Sequence, residues 1–241
     1  MNIKSIFFVK ISILLLLFSS CSTVGFHRPS IRNQIDFGES AAMKVCFFHE
    51  KDISKKDIHK LVSAWNRELN LYNITLVNPV NAPVYERPGF YNNRIFLYLF
   101  NMKLTDPCDR VVYLRGRKFK DLFTEFISIL FLLFTGLKFE IHGMVETATH
   151  SRGIIKAKYV NLIQLFVTSP KKTLIHEGYH LLGCGHSLTK TKCYDHIRKL
   201  KQKMKQTGHE EGFFPILTND GRYLDSRESV NKTILNLFNE R

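Results

Sequence analysis

The stretch that organises this chain reads SPKKTLIHEGYHLLGCGH over residues 169–186. Ser169 followed by Pro170 is typical of a helix start, because serine caps the free amides of the first turn and proline fits the first helical position. Gly183 is expected to end that helix, since glycine adopts the left-handed backbone that closes many helices. The pattern therefore predicts a helix of about three turns, followed at once by a tight turn.

Three histidines and one glutamate lie in this stretch at fixed intervals. His176 and His180 are four residues apart, so they share one face of the helix and suit two imidazoles that bind one ion. Glu177 is rotated away from that pair, so that its carboxylate can stand beside the metal. Gly183 turns the chain and lets His186 supply a third imidazole. Three neutral imidazoles leave one position on zinc open for water, which is typical of a catalytic site.

We therefore predict a Zn2+ cofactor held by His176, His180 and His186, with Glu177 as the general base. Zinc would acidify water and polarise a carbonyl, while Glu177 would accept the proton of the water and return it to the leaving amine. The competing interpretation is a helix that carries several histidines and no metal. A chance match at five fixed positions is an event on the order of 10⁻⁵ to 10⁻⁴, so the metal site is the favoured interpretation.

These residues resemble the H-E-x-x-H-x-x-G-x-x-H zinc signature of the metzincin metalloproteases and match it at every fixed position. The resemblance implies a zinc endopeptidase that acts on protein or peptide substrates. It also implies an α+β fold, with a twisted mixed sheet, an active-site helix and a small, mostly helical C-terminal subdomain. It covers about residues 41–241, divided into an upper part, 41–183, and a lower part, 184–241. Only the zinc segment is specific.

The metzincin pattern includes a methionine on a turn below the zinc, and that methionine is missing from the expected place. Met204 is the only methionine after the signature, and its spacing predicts that it packs one face of a basic helix over residues 194–205. Residues 213–217 lie where the turn is expected. Leu217 is expected to take the place of the methionine, with Ile216 as the next choice.

The N-terminus has the pattern of an export signal. Residues 1–20 contain Lys4 and Lys10, no acid and a short apolar run, which is typical of a secretory leader. Cys21 follows two small residues and resembles the lipidated cysteine of a bacterial lipoprotein. The apolar run is shorter than the roughly 20 residues of a spanning helix, so a transmembrane anchor is less favoured. We predict a lipid-anchored protein of the bacterial cell envelope, with residues 21–40 as a tether.

The remaining pattern predicts alternating strands and helices in one α+β domain. The predicted strands are 41–48, 74–77, 94–100, 110–114, 139–148 and 154–167, with a hairpin turn at 150–153 between the last two. The predicted helices outside the zinc segment are 55–71, 122–137, 194–205 and 226–238. Residues 122–137 are predicted to form a buried core helix, with a membrane-dipping segment as the alternative. By resemblance to metzincins, 139–148 is expected to be the sheet edge that receives an extended substrate.

The composition is that of a folded protein, since 44% of the 241 residues are hydrophobic and 23% are charged; it excludes a collagen-like or disordered chain. The formal net charge of +14 suggests an anionic partner such as lipid headgroups or cell-wall polymers. No specific nucleic-acid partner is expected, and the oligomeric state is open. The basic run over 190–205 is either a solvated helix face or a binding patch. The pairing of Cys46, Cys108, Cys184 and Cys193 also stays open.

Two functions are compatible with these patterns. The first is a membrane-anchored zinc endopeptidase. The second is a non-catalytic zinc-containing lipoprotein that binds an anionic envelope or host ligand through its basic surface. Glu177 favours the first function, because a purely structural zinc site has no use for a general base.

Overall fold

A computed structural model describes residues 24–79, 83–89, 92–135, 142–158 and 169–239. Over this part of the chain, the protein is a mixed α+β structure with seven α-helices, a five-stranded and mostly parallel sheet, and a separate two-stranded hairpin. The predicted leader and Cys21 lie outside the described residues, as do residues 159–167 of the last predicted strand.

The elements are numbered in chain order. The strands are β1 (Ala41–His49), β2 (Ile74–Val77), β3 (Arg110–Arg115), β4 (Gly143–Val145), β5 (Arg152–Lys156), β6 (Ile216–Leu217) and β7 (Tyr223–Leu224). The helices are α1 (Pro29–Arg32), α2 (Lys55–Leu69), α3 (Asn92–Asn101), α4 (Phe119–Thr135), α5 (Pro170–Leu181), α6 (Thr191–Thr207) and α7 (Arg227–Asn239).

The large sheet has the strand order β2-β1-β3-β5-β4. All neighbouring strands in it are parallel except β4, which runs antiparallel to β5 with Met144 opposite Ile154. Of the predicted strand 139–148, Gly143–Val145 forms β4, which is the last strand of this sheet among the described residues, whereas 146–148 lie in the following turn. Residues 139–141 lie outside the described residues.

Hydrophobic side chains cover both faces of this sheet, because successive strand residues point to opposite sides. In β3, Val112 and Leu114 belong to the cluster beneath α2, α5 and α6. Val111 and Tyr113 belong to the cluster that contains residues of α3, α7 and the β6–β7 hairpin. The zinc-signature helix α5 therefore packs on one face of a sheet whose other face is also covered.

A fully buried arginine connects the sheet to the segments around it. Arg110, at the start of β3, donates hydrogen bonds to the carbonyl oxygens of Leu181 at 3.1 Å, Phe214 at 3.0 Å and Pro215 at 2.9 Å. Leu181 is the last residue of α5, and Pro215 immediately precedes β6. One side chain thus fixes the end of the signature helix relative to the C-terminal hairpin.

One predicted strand is wrong. Residues 94–100 lie inside helix α3, not in a strand. Their sequence, RIFLYLF, is rich in aromatic residues, which favour strands. The buried residues Ile95, Phe96 and Leu99 nevertheless fall at helical spacing, and packing of that face against the sheet decides the structure.

The predicted hairpin between β4 and β5 is confirmed, but its turn lies earlier than 150–153. Arg152 and Gly153 already belong to β5. The carboxylate of Glu146 organises the turn, accepting hydrogen bonds from the amides of Thr149 at 2.8 Å and Ser151 at 2.7 Å. A side chain at the turn's start therefore replaces the backbone pairing that would have continued the strand.

The prediction that 122–137 is a buried core helix is wrong in its packing over 122–127, where the side chains are described; residues 136–137 lie outside the described residues. Helix α4 forms over Phe119–Thr135, but Phe119, Phe123 and Phe126 are exposed, whereas Asp121 and Glu125 are fully buried. The sequence pattern alone suggested burial, since apolar residues dominate it. Within the described ranges, no helix is both long enough and apolar enough to cross a membrane.

The segment predicted as a tether, 21–40, is folded from Val24 onward, so that prediction is wrong for most of its length. Val24 and Phe37 are buried in the main cluster. Phe26 pairs with the loop that follows the zinc signature, its amide donating to Leu188 at 3.0 Å and its carbonyl accepting from Lys190 at 3.0 Å. The segment is mostly polar, so the sequence pattern did not indicate that Val24 and Phe37 fix it in the core.

The basic run over 190–205 forms most of helix α6, and its cations play different parts. Arg198 and Lys199 are partly exposed and pair with Asp195. Lys201 is buried, and its ammonium donates to the carbonyl of Asn73 at 3.0 Å. Lys190 is buried as well. Part of the run is therefore a solvated helix face, and part of it is structural.

Replacing Arg110 with methionine should lower the free energy of unfolding by about 3 kcal/mol or more, because three buried carbonyls lose their donor and each orphaned group costs about 1–3 kcal/mol. Urea unfolding followed by circular dichroism measures the change. The matched control is Arg67→Met on the exposed side of α2, expected to change the free energy by under about 0.5 kcal/mol. Equal effects of the two substitutions would show that Arg110 is not a structural clamp.

Candidate metal centre

The signature helix begins and ends where the sequence predicts. The Ser169 hydroxyl accepts a hydrogen bond from the amide of Lys172 at 3.3 Å, and Pro170 is the first helical residue. Gly183 follows the end of α5 with a φ of +83°, a conformation that other residues rarely adopt. A Cβ at this glycine would lie 2.5 Å from Nε2 of His196. Gly183 is therefore needed both for its backbone angle and for its lack of a side chain.

The three predicted ligands come together in space. The Nε2 atoms of His176 and His180 are 3.3 Å apart, and the ring of His186 lies 5.1 Å and 4.6 Å from the two other rings, centroid to centroid. One nitrogen from each ring can be chosen so that all three atoms lie within 4.8 Å of one another. The turn at Gly183 thus brings the third imidazole back to the helix face that carries the first two.

The donor set fits zinc. Nδ1 of His180 donates to the carbonyl of Cys184 at 2.7 Å, which leaves Nε2 of that ring with a free lone pair. Burial, together with the neighbouring His180 and His186, lowers the pKa of His176 to about 4, and burial also lowers the pKa of His180. These two rings are therefore neutral near pH 7, the state in which imidazole binds a metal.

A disulfide closes the loop that carries the third histidine. Cys184 is bonded to Cys193 at the start of α6, and Cys46 is bonded to Cys108. The pairing that the sequence left open is therefore given by the fold. Because His186 lies inside the loop closed by the first of these bonds, the loop has fewer conformations in which that imidazole could point elsewhere.

Glu177 is a buried carboxyl beside the edge strand. Its side chain is held against Gly143 of β4, where a Cβ would stand 2.5 Å from Cγ and 2.7 Å from Oε1 of the glutamate. Burial raises the pKa of Glu177 to about 7. A carboxyl that titrates near neutral pH can both accept and return a proton, as general acid–base catalysis requires.

Close packing of helices α2 and α5 fixes the orientation of the signature helix. Gly178, next to the glutamate, has no side chain, and a Cβ there would lie 2.3 Å from Nε1 of Trp65. One residue further, the hydroxyl of Tyr179 hydrogen-bonds that of Tyr72 at 2.7 Å and also donates to the carboxylate of Glu68. Tyr179, one of the three residues between the two helical histidine ligands in sequence, is thus anchored to α2 and to Tyr72.

Sequence patterns did not indicate this anchoring network. Lys190 lies with its ammonium 3.9 Å from the ring centre of Tyr179 and 3.4 Å from an oxygen of Glu68. His27 joins the same carboxylate at 2.7 Å. Lys190 is 122 positions from Glu68 and 163 from His27, and no local spacing indicates these contacts.

Leu217, which the sequence analysis expects at the floor of the site, lies near the end of the signature helix. Leu217 is buried in the same cluster as Leu181 and Cys184, and its carbonyl oxygen would be 2.8 Å from a Cβ at Gly183. Met204 lies in α6 and packs against that cluster while partly exposed, as its helical spacing predicted. The assignment of Leu217 to the methionine's place stays a prediction.

Comparison of the chain with protein-family models gives no match, and comparison with curated protein sequences gives none either. The functional argument therefore depends on the residues of the site and their geometry.

Replacing Leu217 with alanine should reduce the free energy of unfolding by about 2–5 kcal/mol and weaken zinc binding, because it opens a cavity under the signature helix. Leu217→Met nearly conserves the volume and should cost under about 1.5 kcal/mol. Urea unfolding and zinc titration against a competing chelator measure the two effects. Met204→Ala is the control and should leave zinc affinity unchanged. If Met204→Ala removes zinc binding while Leu217→Ala is silent, Leu217 is not the floor.

Replacing Gly143 with alanine should leave zinc affinity unchanged and displace the carboxylate of Glu177, because the new methyl group and that side chain cannot occupy the same space. The effect should appear as a loss of at least about tenfold in the peptide hydrolysis proposed below, since small displacements of a group that must meet the substrate are costly. Gly185→Ala is the matched control, because a Cβ there has no heavy atom within 4 Å. Equal activity of the two variants would contradict the role of Gly143.

Proposed function

We propose that this protein is a zinc-dependent endopeptidase of metzincin type, anchored to the bacterial cell envelope through lipid on Cys21. The observation that carries the proposal is the convergence of three imidazole nitrogens, two of them from a helix that also carries the buried carboxyl of Glu177. His176, His180 and His186 supply the nitrogen donors, and Glu177 follows the first of them by one residue. A site that served only to hold the fold together would need a fourth ligand more than it would need a base.

In the proposed hydrolysis, different residues of the chain have different roles. Zn2+ held by the three imidazoles would supply a Lewis acid, which polarises a carbonyl and makes water more acidic. Glu177 accepts a proton from the attacking water and delivers it to the nitrogen of the departing amine. Its pKa of about 7 suits both halves of that transfer. The hydrogen bond from His180 to Cys184 keeps the second ligand in one tautomer and one orientation.

The edge strand β4 supports a peptide as the substrate. Gly143 of this strand contacts Glu177, so a chain laid along the strand passes the catalytic carboxyl. Extended peptides bind exposed strand edges through main-chain hydrogen bonds, and most sequences can make these. Such binding would align the scissile bond with the base and leave specificity to side-chain pockets.

Replacing Glu177 with glutamine should preserve zinc at one ion per chain and reduce peptide hydrolysis by two or more orders of magnitude, because the amide cannot accept the proton. Metal analysis and cleavage of a peptide library, each with and without a zinc chelator, measure the two properties. Copies of the best peptide, N-methylated one amide at a time, then test binding along β4. Poor cleavage should follow methylation of those amides that face the strand.

The same experiment separates this proposal from a non-catalytic lipoprotein that binds an anionic ligand. Such a protein would bind zinc and leave every peptide intact in both wild-type and Glu177→Gln forms. Full activity in the variant, or no stoichiometric zinc in the wild-type chain, would also end the proposal. Replacement of the exposed Lys192 by glutamine is the control for the loss of a polar side chain elsewhere and should change neither property.

Replacing Cys21 with alanine should abolish incorporation of radiolabelled palmitate and release the protein from the membrane fraction, because the acyl chains have no other proposed attachment site. Metabolic labelling followed by fractionation measures both. The control is Ser22→Ala, which should be labelled like the wild type. A labelled and membrane-bound Cys21→Ala protein would overturn lipidation at this residue.

A further inference from the structure

Helix α4 buries its acidic side chains and exposes its apolar ones, which is the reverse of the usual arrangement in a surface helix of a soluble protein. Its two acidic residues, Asp121 and Glu125, are four positions apart and both are fully buried. Two rows of apolar side chains, each also spaced by four residues, lie on the outside. They are Phe119, Phe123 and Ile127 in one row and Leu122, Phe126 and Leu130 in the other. Phe119 is 86% exposed, Phe123 66% and Phe126 58%.

Buried ion pairs hold the helix in this orientation. Asp121 accepts hydrogen bonds from Arg87 at 2.8 Å and 2.9 Å and from Arg115 at 2.5 Å. Glu125 pairs with Lys156 at the end of β5, at 2.6 Å. Turning the apolar rows inward would break these pairs and strand several charges without partners, which is strongly unfavourable. The buried ion pairs therefore keep the two apolar rows exposed on the surface.

The exposed charges of residues 117–135 have one sign. Arg117, Lys118 and Lys120 are exposed at the start of the helix, and the only acids over residues 117–135 are the two buried ones. Asp52, which is exposed, accepts a hydrogen bond from the amide of Arg117 at 2.9 Å, so one acid from another segment stands beside the three cations. An apolar face rich in phenylalanine and leucine, bordered by cations and carrying no exposed acid of its own, has the composition of helices that lie in the interface of anionic membranes. No described helix is able to span a bilayer, so contact parallel to the surface is the relevant geometry.

We propose that the outer face of α4 docks on an anionic lipid bilayer, with its two apolar rows in the headgroup region and the three cations against lipid phosphates. This contact is separate from the proposed lipid on Cys21 and does not depend on the endopeptidase activity. In this contact the two apolar rows are removed from water, and the three cations favour acidic lipids over neutral ones. Neither property requires a protein partner.

The test places a fluorescent reporter on the helix in the full chain. Phe126→Trp introduces an indole on the outer face, while the native Trp65 is buried and gives a background measured on the wild-type chain. The matched control is Leu235→Trp, at a leucine of α7 that is 59% exposed. Vesicles of phosphatidylglycerol and phosphatidylcholine that carry doxyl-labelled acyl chains quench only indoles that enter the bilayer. Attachment of the chain by other means therefore does not mimic the result.

The indole at position 126 should be quenched, and its emission shifted to shorter wavelength, on vesicles that contain phosphatidylglycerol. The indole at position 235 should show neither effect. Adding Lys118→Gln and Lys120→Gln should weaken docking about 25-fold on anionic vesicles, at about fivefold per charge, with little change on vesicles of phosphatidylcholine alone. No quenching at 126, or equal quenching at both positions, overturns the proposal. A concentration-dependent dimer that Phe123→Ser abolishes, without quenching, would assign the face to a second copy of the chain and likewise overturn it.

Discussion

The structure depends on one buried cation, the guanidinium of Arg110, whose donors bind protein oxygens in place of water. The four hydrogen bonds of Arg110 all end on backbone carbonyls, those of Asp109, Leu181, Phe214 and Pro215. Burial lowers the pKa of this guanidinium to about 10, so it is still charged at neutral pH. The carbonyls at the end of a helix lack intrahelical partners and carry partial negative charge, which makes the end of α5 a favourable place for the cation. The geometry of the metal centre follows from this, because the turn to His186 begins two residues later.

Buried charged residues also join separate segments at the carboxyl ends of the parallel strands. Glu50, after β1, pairs with Arg87, and the same arginine continues to Asp121. Burial alone would raise the pKa of Asp121, but the hydrogen bonds from Arg87 and Arg115 hold it well below its usual range. Buried ion pairs add little net stability compared with apolar contacts, yet they disfavour every arrangement that separates the partners. In this protein they determine which side of α4 faces water.

The zinc segment could be predicted in detail because its geometry is local. The cap at Ser169, the spacing of His176 and His180 and the stop at Gly183 all depend on residues within a few positions of one another. Most helices and strands also follow from short-range periodicity. Residues 94–100 show the limit, since an aromatic run satisfies both a strand and a buried helix face until its packing partner is known. The orientation of α4 could not be predicted, because two of the cations that bind its acids, Arg87 and Lys156, come from segments more than 30 positions away.

The folded N-terminal segment limits how far the proposed enzyme can act from a membrane. A lipid anchor at Cys21 would be followed by only two residues before Val24 enters the core, and three extended peptide steps span about 10 Å at most. The chain enters the core beside the loop that follows His186, since Phe26 pairs with Leu188 and Lys190. The proposed catalytic centre would then be held close to the bilayer. Substrates held at the membrane would be within reach, and proteins passing at a distance would not.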